Sequence, residues 1–301
     1  MNEKIIKFIA SFFRTIPHFR GKMRIGRFVQ NLLNSKNEWK KPEFFVLLKN
    51  GTRLFIDVRS KTHIVPFWTG KRDQEVISLI QKCITDSDAV ILDVGANIGY
   101  YTIPLAYHLK SKNITVHAFE PVSSNFQSLL VGIEKNDVKK NAIANQIALG
   151  DKEGTLEIIK TEKGNSGNAV LSINNDDFEI ECDREEIKMI TLDQYYKANS
   201  VNRCDFIKID IEGAEIFFIQ GGLEVIKNCK PIIYGEFNSF FIKKFGFSIM
   251  DVWKLIEPFG YDAYMENPTS AATFSKVTVK DGMENMLFIP KEKDHTKWIN
   301  Q

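Results

Sequence analysis

The sequence has 301 residues, of which 44% are hydrophobic and 26% are charged, a composition typical of a soluble globular protein with one large core. Its formal net charge of +2 excludes the strong basic excess expected of a nucleic-acid-binding protein, and no apolar run is long enough to span a membrane as a helix. The four cysteines, which show no CxxC spacing, indicate reduced thiols in a cytoplasmic protein and neither a zinc site nor a disulfide framework: Cys83, Cys182, Cys204 and Cys229.

The first 30 residues carry the one strong charge asymmetry of the chain, with seven Lys or Arg residues against the single acid Glu3. Apolar residues recur at helical spacing in the same stretch, which predicts a basic amphipathic helix: Ile5, Ile9, Phe12, Phe13 and Ile16. One interpretation is a peripheral anchor that places residues 1–30 on the inner face of the membrane. The other is a helix that packs on the main domain and leaves its basic face in solvent.

Two β-rich runs in "FFVLLKNGTRLFIDV", Phe44 to Val58, meet at Asn50-Gly51, a dipeptide that favours hairpin turns of type I′. We therefore expect an extension over residues 1–65 made of a helix and a β-hairpin. The main domain is predicted over residues 66–292, followed by a short tail over 293–301.

From Asp88 onward, strand and helix patterns alternate, which predicts an α/β fold whose parallel sheet is covered on both faces. We expect its strands at Ala89 to Val94, Thr115 to Phe119, Ala142 to Ala148, Asp205 to Ile209 and Ile232 to Glu236. Two more strands are predicted in "YDAYMEN" and "NMLFIP", with "PTSAATF" in a loop between them.

The stretch "VILDVGANIGYY" runs from a buried strand, which Asp93 closes, into a turn with Gly95 and Gly99. The glycines are expected to let the backbone turn sharply and approach a ligand, and the helix from Tyr100 to present its N-terminus to that ligand. A dinucleotide fingerprint would need a third glycine, and Asn97 stands at the middle position; a phosphate-binding Gly-Lys-Ser/Thr is also absent. The pattern D-x-G-x-N-x-G instead resembles the first motif of class I methyltransferases that use S-adenosylmethionine.

A second acid supports a nucleotide-type cofactor. Glu120 ends the second predicted strand, 21 residues after Gly99, near the distance at which an acid meets ribose hydroxyls in βαβ units. Alone, the glycines are compatible with a tight turn and Glu120 with a solvated strand-end charge. Together they favour a cofactor site.

The blocks "DVGANIGYYT", "AFEP", "IALGDKEGTLEI", "ITLDQYY" and "FIKIDIEGAEIFFIQGG", in this order, resemble the FkbM family of methyltransferases. The resemblance covers roughly residues 70–240, and "KIDIEGAE" is its most specific block. It implies a Rossmann-like class I sheet, mostly parallel, with seven strands of which the last is antiparallel. It also implies S-adenosylmethionine as methyl donor and a set of matching cofactor-binding positions: Asp93, Gly95, Ala96, Asn97, Gly99, Tyr100, Glu120, Pro121 and Asp151. Asp151 is equally explained by a turn.

Acids after the fourth and fifth strands are the candidate catalytic residues: Asp210 and Glu212 in "KIDIEGAE", and Glu236 in "YGEFN". Methyl transfer to a hydroxyl requires alignment of the acceptor and removal of its proton. Asp210 could act as general base. Alternatively Asp210, Glu236 and Asn238 could hold a divalent cation such as Mg²⁺ that lowers the pKa of the hydroxyl, a placement similar to that of magnesium-dependent catechol-type methyltransferases.

The sequence therefore predicts an O-methyltransferase that acts on a hydroxyl of a saccharide, a glycan or another natural product. An Asp/Asn-Pro-Pro-aromatic motif, which clamps a flipped base, is absent after the fourth strand, so we expect no nucleic-acid partner. The alternatives are a non-catalytic binding module with this fold, and a methyltransferase of protein or RNA.

Overall fold

The structure is a computed structural model that describes residues 3–16, 21, 24–29, 42–160, 169–171, 183–267 and 270–293. Its helices are α1 (Glu3–Thr15), α2 (24–29), α3 (Ile64–Thr69), α4 (Gln74–Cys83), α5 (Thr102–His108), α6 (Ser123–Lys135), α7 (Leu192–Asn199), α8 (Glu215–Gln220), α9 (Leu223–Cys229), α10 (Ser239–Lys244) and α11 (Ile249–Ile256). Its strands are β1 (Glu43–Leu47), β2 (Arg53–Asp57), β3 (Val90–Val94), β4 (Thr115–Phe119), β5 (Ala142–Asn145), β6 (Ala148–Leu149), β7 (Gly154–Lys160), β8 (Ala169–Leu171), β9 (Asp183–Ile190), β10 (Phe206–Ile209), β11 (Ile232–Glu236), β12 (Tyr261–Asn267), β13 (Ser270–Lys276) and β14 (Asn285–Pro290). The predicted tail lies outside the described residues from position 294 onward.

The main sheet has the strand order β13-β12-β14-β11-β10-β3-β4-β5. Strands β5, β4, β3, β10 and β11 pair in parallel, and β14 is antiparallel to both of its neighbours. The predicted α/β, Rossmann-like class I sheet with an antiparallel last strand is thus confirmed. The strand order reverses between β3 and β10, so their carboxyl ends open a crevice, which is where open α/β sheets bind ligands.

Two strand predictions near the sheet edges were wrong. The "SAATF" part of the predicted loop belongs to β13, which extends the sheet to eight strands by antiparallel pairing with β12 and buries Phe274 against Tyr234, with 6.0 Å between ring centroids. The strand predicted over Ala142 to Ala148 is divided, because β5 ends at Asn145, whose side chain donates a hydrogen bond to the Ala118 carbonyl (3.2 Å).

A second sheet, which the sequence analysis did not predict, follows this division with the order β6-β9-β7-β8. Strand β6 is parallel to β9, whereas β7 is antiparallel to both β9 and β8. Ile158 and Ile187 pack with Val122, which precedes α6, in a small apolar cluster of their own. The second sheet therefore stands beside the carboxyl end of β4.

The predicted hairpin forms from β1 and β2, in the register Leu47↔Arg53. Only Gly51 of its turn has a positive φ (+85°), and Leu48 N donates to Thr52 O, so the loop has three residues in place of the type I′ pair. The hairpin is fixed to α6 because Asn136 accepts a hydrogen bond from Arg53 N (2.8 Å) and donates one to Arg53 O (2.7 Å).

Helix α1 packs one face on the domain. Ile6 and Ala10 are buried in the same core cluster as the hairpin and α3, and Phe13 meets Trp68 edge to face at 5.7 Å. Arg14 donates to the Phe67 carbonyl at 2.7 Å. Within the described ranges, no helix has the length and apolar character needed to cross a bilayer.

Candidate active site

A cavity of about 520 Å³ lies at the carboxyl ends of β3, β4 and β10. Its walls come from the loops that follow these strands, from the second sheet, and from Thr62 and Arg72 in the segments around α3. The cavity thus occupies the crevice that the strand order creates, and the predicted N-terminal extension contributes to it through Thr62.

The glycines of the loop after β3 have left-handed backbones, with φ of +77° at Gly95 and +91° at Gly99. A Cβ on Gly95 would lie 2.0 Å from the Asp210 carbonyl oxygen, and one on Gly99 would lie 2.8 Å from side-chain atoms of Ile103 and Leu129. The sharp turn expected at both glycines is thus present, and their close approach to a ligand stays a prediction. Both glycines let protein segments pack closely, and of the two only Gly95 lines the cavity.

Asp93 lies behind the cavity wall. It is fully buried and accepts hydrogen bonds from Thr102 N (3.0 Å) and Thr102 Oγ1 (2.6 Å), and its other oxygen is 3.4 Å from the Lys208 ammonium. A carboxylate here stabilises the first turn of α5, which begins at Thr102, two residues after the predicted start at Tyr100. Asp93 thus orients the loop, and its predicted contact with a cofactor finds no support in this placement.

Glu120 and Asn97 form the wall between β3 and β4. Glu120 is only 4% exposed, so it is not a solvated strand-end charge; it accepts hydrogen bonds from Asn97 N (2.8 Å), Val122 N (3.0 Å) and Asn125 Nδ2 (3.3 Å). Burial raises the pKa of Glu120 to about 7, although these hydrogen bonds act in the opposite direction. Asn97 has a φ of +52°, a left-handed conformation that asparagine tolerates better than most residues.

The cavity has an apolar pocket beside Glu120, between the β4 loop and the second sheet. It is lined by Phe119, Val122, Leu156, Ile158, Ile187 and Met189. The remaining predicted cofactor residues Ala96, Tyr100, Pro121 and Asp151 also line the cavity, and Asp151 is exposed. The arrangement offers an apolar pocket for a flat group next to a carboxylate that can accept hydrogen bonds from hydroxyl groups.

Acids gather at the opposite end of the cavity. Asp210 and Glu212 line it, and burial raises the pKa of Glu212 to about 7, with further contributions from Asp210 and Glu236. Burial also raises the pKa of Glu236, and the negative charge of Asp210 raises it further. The three predicted catalytic carboxylates are therefore close enough to repel one another.

A second cavity of about 230 Å³ adjoins the first and shares Arg72, Asp73, Tyr101, Lys208 and Asp210 with it. Its remaining lining is mostly polar and includes Glu236, Glu266 and Tyr234. Among the predicted catalytic residues, only Asp210 lines both cavities.

Sequence reasoning missed Lys208 and Arg72. The ammonium of Lys208 donates to the Gly95 carbonyl (3.1 Å) and lies 3.7 Å from Asp210 Oδ2. The sequence did contain a signal for Lys208, because a lysine within the apolar strand "FIKI" is unusual, and all four residues of this strand are buried. Arg72 stands in the loop "GKRD" and gave no comparable signal.

The predicted metal ligands do not fit a metal ion. Asn238 is the N-cap of α10, where its side-chain oxygen accepts a hydrogen bond from Phe240 N (3.0 Å), and it lines neither cavity. Over the part of the chain that the structure describes, no group of three or more His, Cys, Asp or Glu side chains could hold a metal ion.

Glu215, the third acid of "KIDIEGAE", has a structural position. It is fully buried and accepts hydrogen bonds from Ile211 N (3.2 Å) and Gly213 N (3.1 Å), which holds the turn after β10 in shape. Within that turn both Glu212 (φ +54°) and Gly213 (φ +101°) are left-handed. The turn thereby exposes Glu212 to the cavity and keeps Glu215 out of it.

Residues 93–263, more than half of the chain, match the family model of the methyltransferase FkbM domain. The chain is similar to the AMB antimetabolite synthetase AmbE of Pseudomonas aeruginosa, with 27% identity over 164 residues that cover 44% of this chain and 8% of that protein. It is also similar to Methyltransferase 1 of Beauveria bassiana, with 24% identity over 154 residues that cover 44% of this chain and 58% of that protein. Among solved structures, it is similar to the methyltransferase FkbM of Methylobacillus flagellatus KT, with 16% identity, a TM-score of 0.47, and coverage of 75% of this chain and 52% of that chain. The matched regions thus span less than two thirds of each of these relatives. The chain belongs to the FkbM methyltransferase family.

Proposed function

We propose that the protein is an S-adenosylmethionine-dependent methyltransferase that methylates a hydroxyl oxygen of a saccharide or related natural product, with residues 66–292 as its catalytic domain. The observation that carries the proposal is the buried carboxylate of Glu120 at the carboxyl end of β4, beside apolar side chains and in the same cavity as Asp210.

The residues present fit this donor in three parts. Glu120 can accept hydrogen bonds from two ribose hydroxyls, and the apolar pocket around Ile158 and Met189 suits an adenine ring. The loop from Gly95 to Asn97 lines the wall that leads from there toward Asp210, where the methionine end would lie. When bound, S-adenosylmethionine supplies a methyl group activated by the adjacent sulfonium.

Asp210 is the residue we assign to proton removal. Its side chain is 36% exposed and lines both cavities, so a hydroxyl held in the smaller cavity can reach it. As the new bond forms between the acceptor oxygen and the methyl carbon, the hydroxyl proton passes to this carboxylate, and S-adenosylhomocysteine leaves. Glu212 and Glu236 stand beside Asp210 and can hydrogen-bond neighbouring hydroxyls of a polyol acceptor.

The mostly polar lining of the smaller cavity supports an acceptor rich in hydroxyl groups. Arg72 and Glu236 present both donors and acceptors there, which suits a sugar better than an apolar ring.

Calorimetry with S-adenosylmethionine tests the donor, and a dissociation constant in the micromolar range is expected. Transfer of a tritiated methyl group to glycan, protein and RNA fractions of a cell extract tests the acceptor. We expect label in the glycan fraction, loss of that label in Asp210→Asn with donor affinity retained, and full label in the matched control Asp137→Asn, an exposed acid outside both cavities. Absence of donor binding would refute the whole proposal, label in protein or RNA would refute the acceptor, and binding without any transfer would favour a binding module.

A further inference from the structure

Two helices on the N-terminal side of the fold carry a concentration of exposed apolar side chains. Ten large hydrophobic side chains are exposed among the described residues, and five of them lie on α1 and α2: Phe8, Ile9, Phe12, Ile25 and Phe28. Isolated exposed apolar residues are ordinary on protein surfaces, but a cluster of them marks an interaction site. We call these five residues the N-terminal patch.

Packing on the domain leaves the patch side of α1 uncovered. Ile6 and Ala10 form the face that the domain buries, whereas Phe8 is 73% and Phe12 is 62% exposed. At 3.6 residues per turn, the exposed Phe8 and Phe12 lie nearly half a turn around the helix axis from the buried Ile6 and Ala10. Helix α1 therefore has two apolar surfaces, of which the domain buries one and leaves the other exposed.

Helix α2 adds to the same region of the surface. A Cβ on Gly26 would lie 2.7 Å from Trp68, the side chain against which Phe13 of α1 also packs. Ile25 is 49% and Phe28 is 70% exposed. Because both helices contact Trp68, their exposed apolar residues lie on neighbouring parts of the molecule.

Cations accompany the patch. Arg24 and Arg27 are exposed on α2, next in sequence to Ile25 and Phe28. Two other cations are engaged with the protein, since the Lys7 ammonium lies 3.8 Å from the centre of the Phe44 ring and Arg14 donates to the Phe67 carbonyl. The sequence of residues 1–30 also contains Lys4, Arg20 and Lys22 and only one acid.

We propose that the N-terminal patch docks the protein peripherally on an anionic membrane surface. The phenylalanine rings enter the boundary between headgroups and acyl chains, and Arg24 and Arg27 pair with lipid phosphates and carboxylates. Charge argues against a second copy of this chain as the occupant, because two identical basic surfaces would repel each other. This proposal is independent of the methyltransferase proposal, because neither cavity includes a patch residue.

The test is flotation of the full chain with vesicles of phosphatidylcholine alone, or with about one third phosphatidylserine as the anionic lipid. We expect binding to the anionic vesicles, little binding to neutral ones, and a decline with added salt. The double variant Phe8→Ser/Phe12→Ser should lower the partition coefficient about tenfold or more, since both rings leave the bilayer. Arg24→Gln/Arg27→Gln should weaken binding to anionic vesicles only.

Phe240→Ser is the matched control, because this ring is 65% exposed on α10 and does not belong to the patch. It should bind vesicles like the wild type, and all variants should keep the wild-type unfolding temperature because the replaced side chains are exposed. Three results would each overturn the proposal: no binding to anionic vesicles, equal losses in the control and in the phenylalanine pair, or self-association in sedimentation velocity that the Phe8/Phe12 pair abolishes.

Discussion

Replacement of Glu120 by glutamine removes one charge from the cavity wall at nearly constant volume, and it should change stability in a pH-dependent way. Burial raises the pKa of Glu120 from 4.5 to about 7. The folded protein thus holds a proton that the unfolded chain releases, so the contribution of this group to stability is fully present below pH 4.5 and is lost as the pH rises through 7. That loss amounts to about 3 kcal/mol, of which most falls between pH 5 and pH 8.

Glutamine does not titrate, so the E120Q variant does not lose this stability as the pH rises, but it loses one hydrogen bond at every pH. The carboxylate accepts from both Asn97 N and Val122 N, whereas an amide has only one oxygen, so one N–H group faces an NH₂ group at a cost of about 1–3 kcal/mol. The E120Q apoprotein should therefore be less stable than the wild type at pH 5 and equal or more stable at pH 8. Chemical denaturation at the two pH values measures this difference.

The affinity for S-adenosylmethionine should be lower in E120Q than in the wild type at pH 8, where the variant is expected to be equally or more stable. At pH 8 the loss of a charged acceptor for the ribose hydroxyls should cost about 1.5–3 kcal/mol per hydrogen bond, which is a tenfold to hundredfold weaker affinity for S-adenosylmethionine. Wild-type affinity should itself fall below pH 7, because Glu120 must release its proton to accept two hydroxyls, and the gap to E120Q should narrow.

Calorimetry in buffers of different ionisation enthalpy measures both affinity and proton release. Wild-type affinity of E120Q at pH 8 would refute the ribose contact. A stability difference between the two proteins that does not change with pH would refute the buried-carboxylate argument.

Two further predictions concern Gly95 in the loop after β3 and Asn238, which the sequence predicted as a metal ligand. Gly95→Ala should lower the free energy of unfolding in urea by several kcal/mol, because its Cβ would lie 2.0 Å from the Asp210 carbonyl oxygen and the residue has a positive φ. In the control Gly154→Ala, the new Cβ meets no atom within 4 Å, so the free energy of unfolding should change by about 1 kcal/mol or less. Equal effects of the two substitutions would contradict the packing role of Gly95. Asn238→Ala should lower the free energy of unfolding by about 1 kcal/mol, because α10 loses its N-cap. A strong chelator should leave the rate of methyl transfer unchanged. If the chelator instead abolished activity and Mg²⁺ restored it, Asn238 would again be a candidate metal ligand.

The central strands could be predicted almost to the residue because each is a short, buried apolar run between turn residues, as in "VILDV" and "IIYGE". Strand β13 could not, since its serines and alanines give a weak strand signal and its pairing with β12 supplies the stabilisation. The second sheet was missed for a related reason. Its strands are held by pairing between segments that the sequence separates.

For the site, sequence spacing predicted the wall that Glu120 and Asn97 form but not the role of each residue in it. The pattern D-x-G-x-N-x-G shows where glycines are needed, but only the fold shows that the Asp210 carbonyl fills the space above Gly95. Residues from distant segments, such as Thr62 and Arg72, reach the cavity through tertiary packing alone.

Lys208 explains why the two sides of the cavity hold together. Burial lowers its pKa, but Asp93 and Asp210 together raise it above the ordinary lysine value, so the side chain stays cationic. A buried ion pair adds little net stability, and its best-supported role is to fix geometry. Here one ammonium donates to the Gly95 carbonyl, in the loop proposed to hold the cofactor, and lies 3.7 Å from Asp210, the proposed general base. Of the two carboxylates near this ammonium, Asp93 is fully buried and already bonded to Thr102, so Asp210, whose side chain is 36% exposed, is the one accessible for the proton removal that we propose.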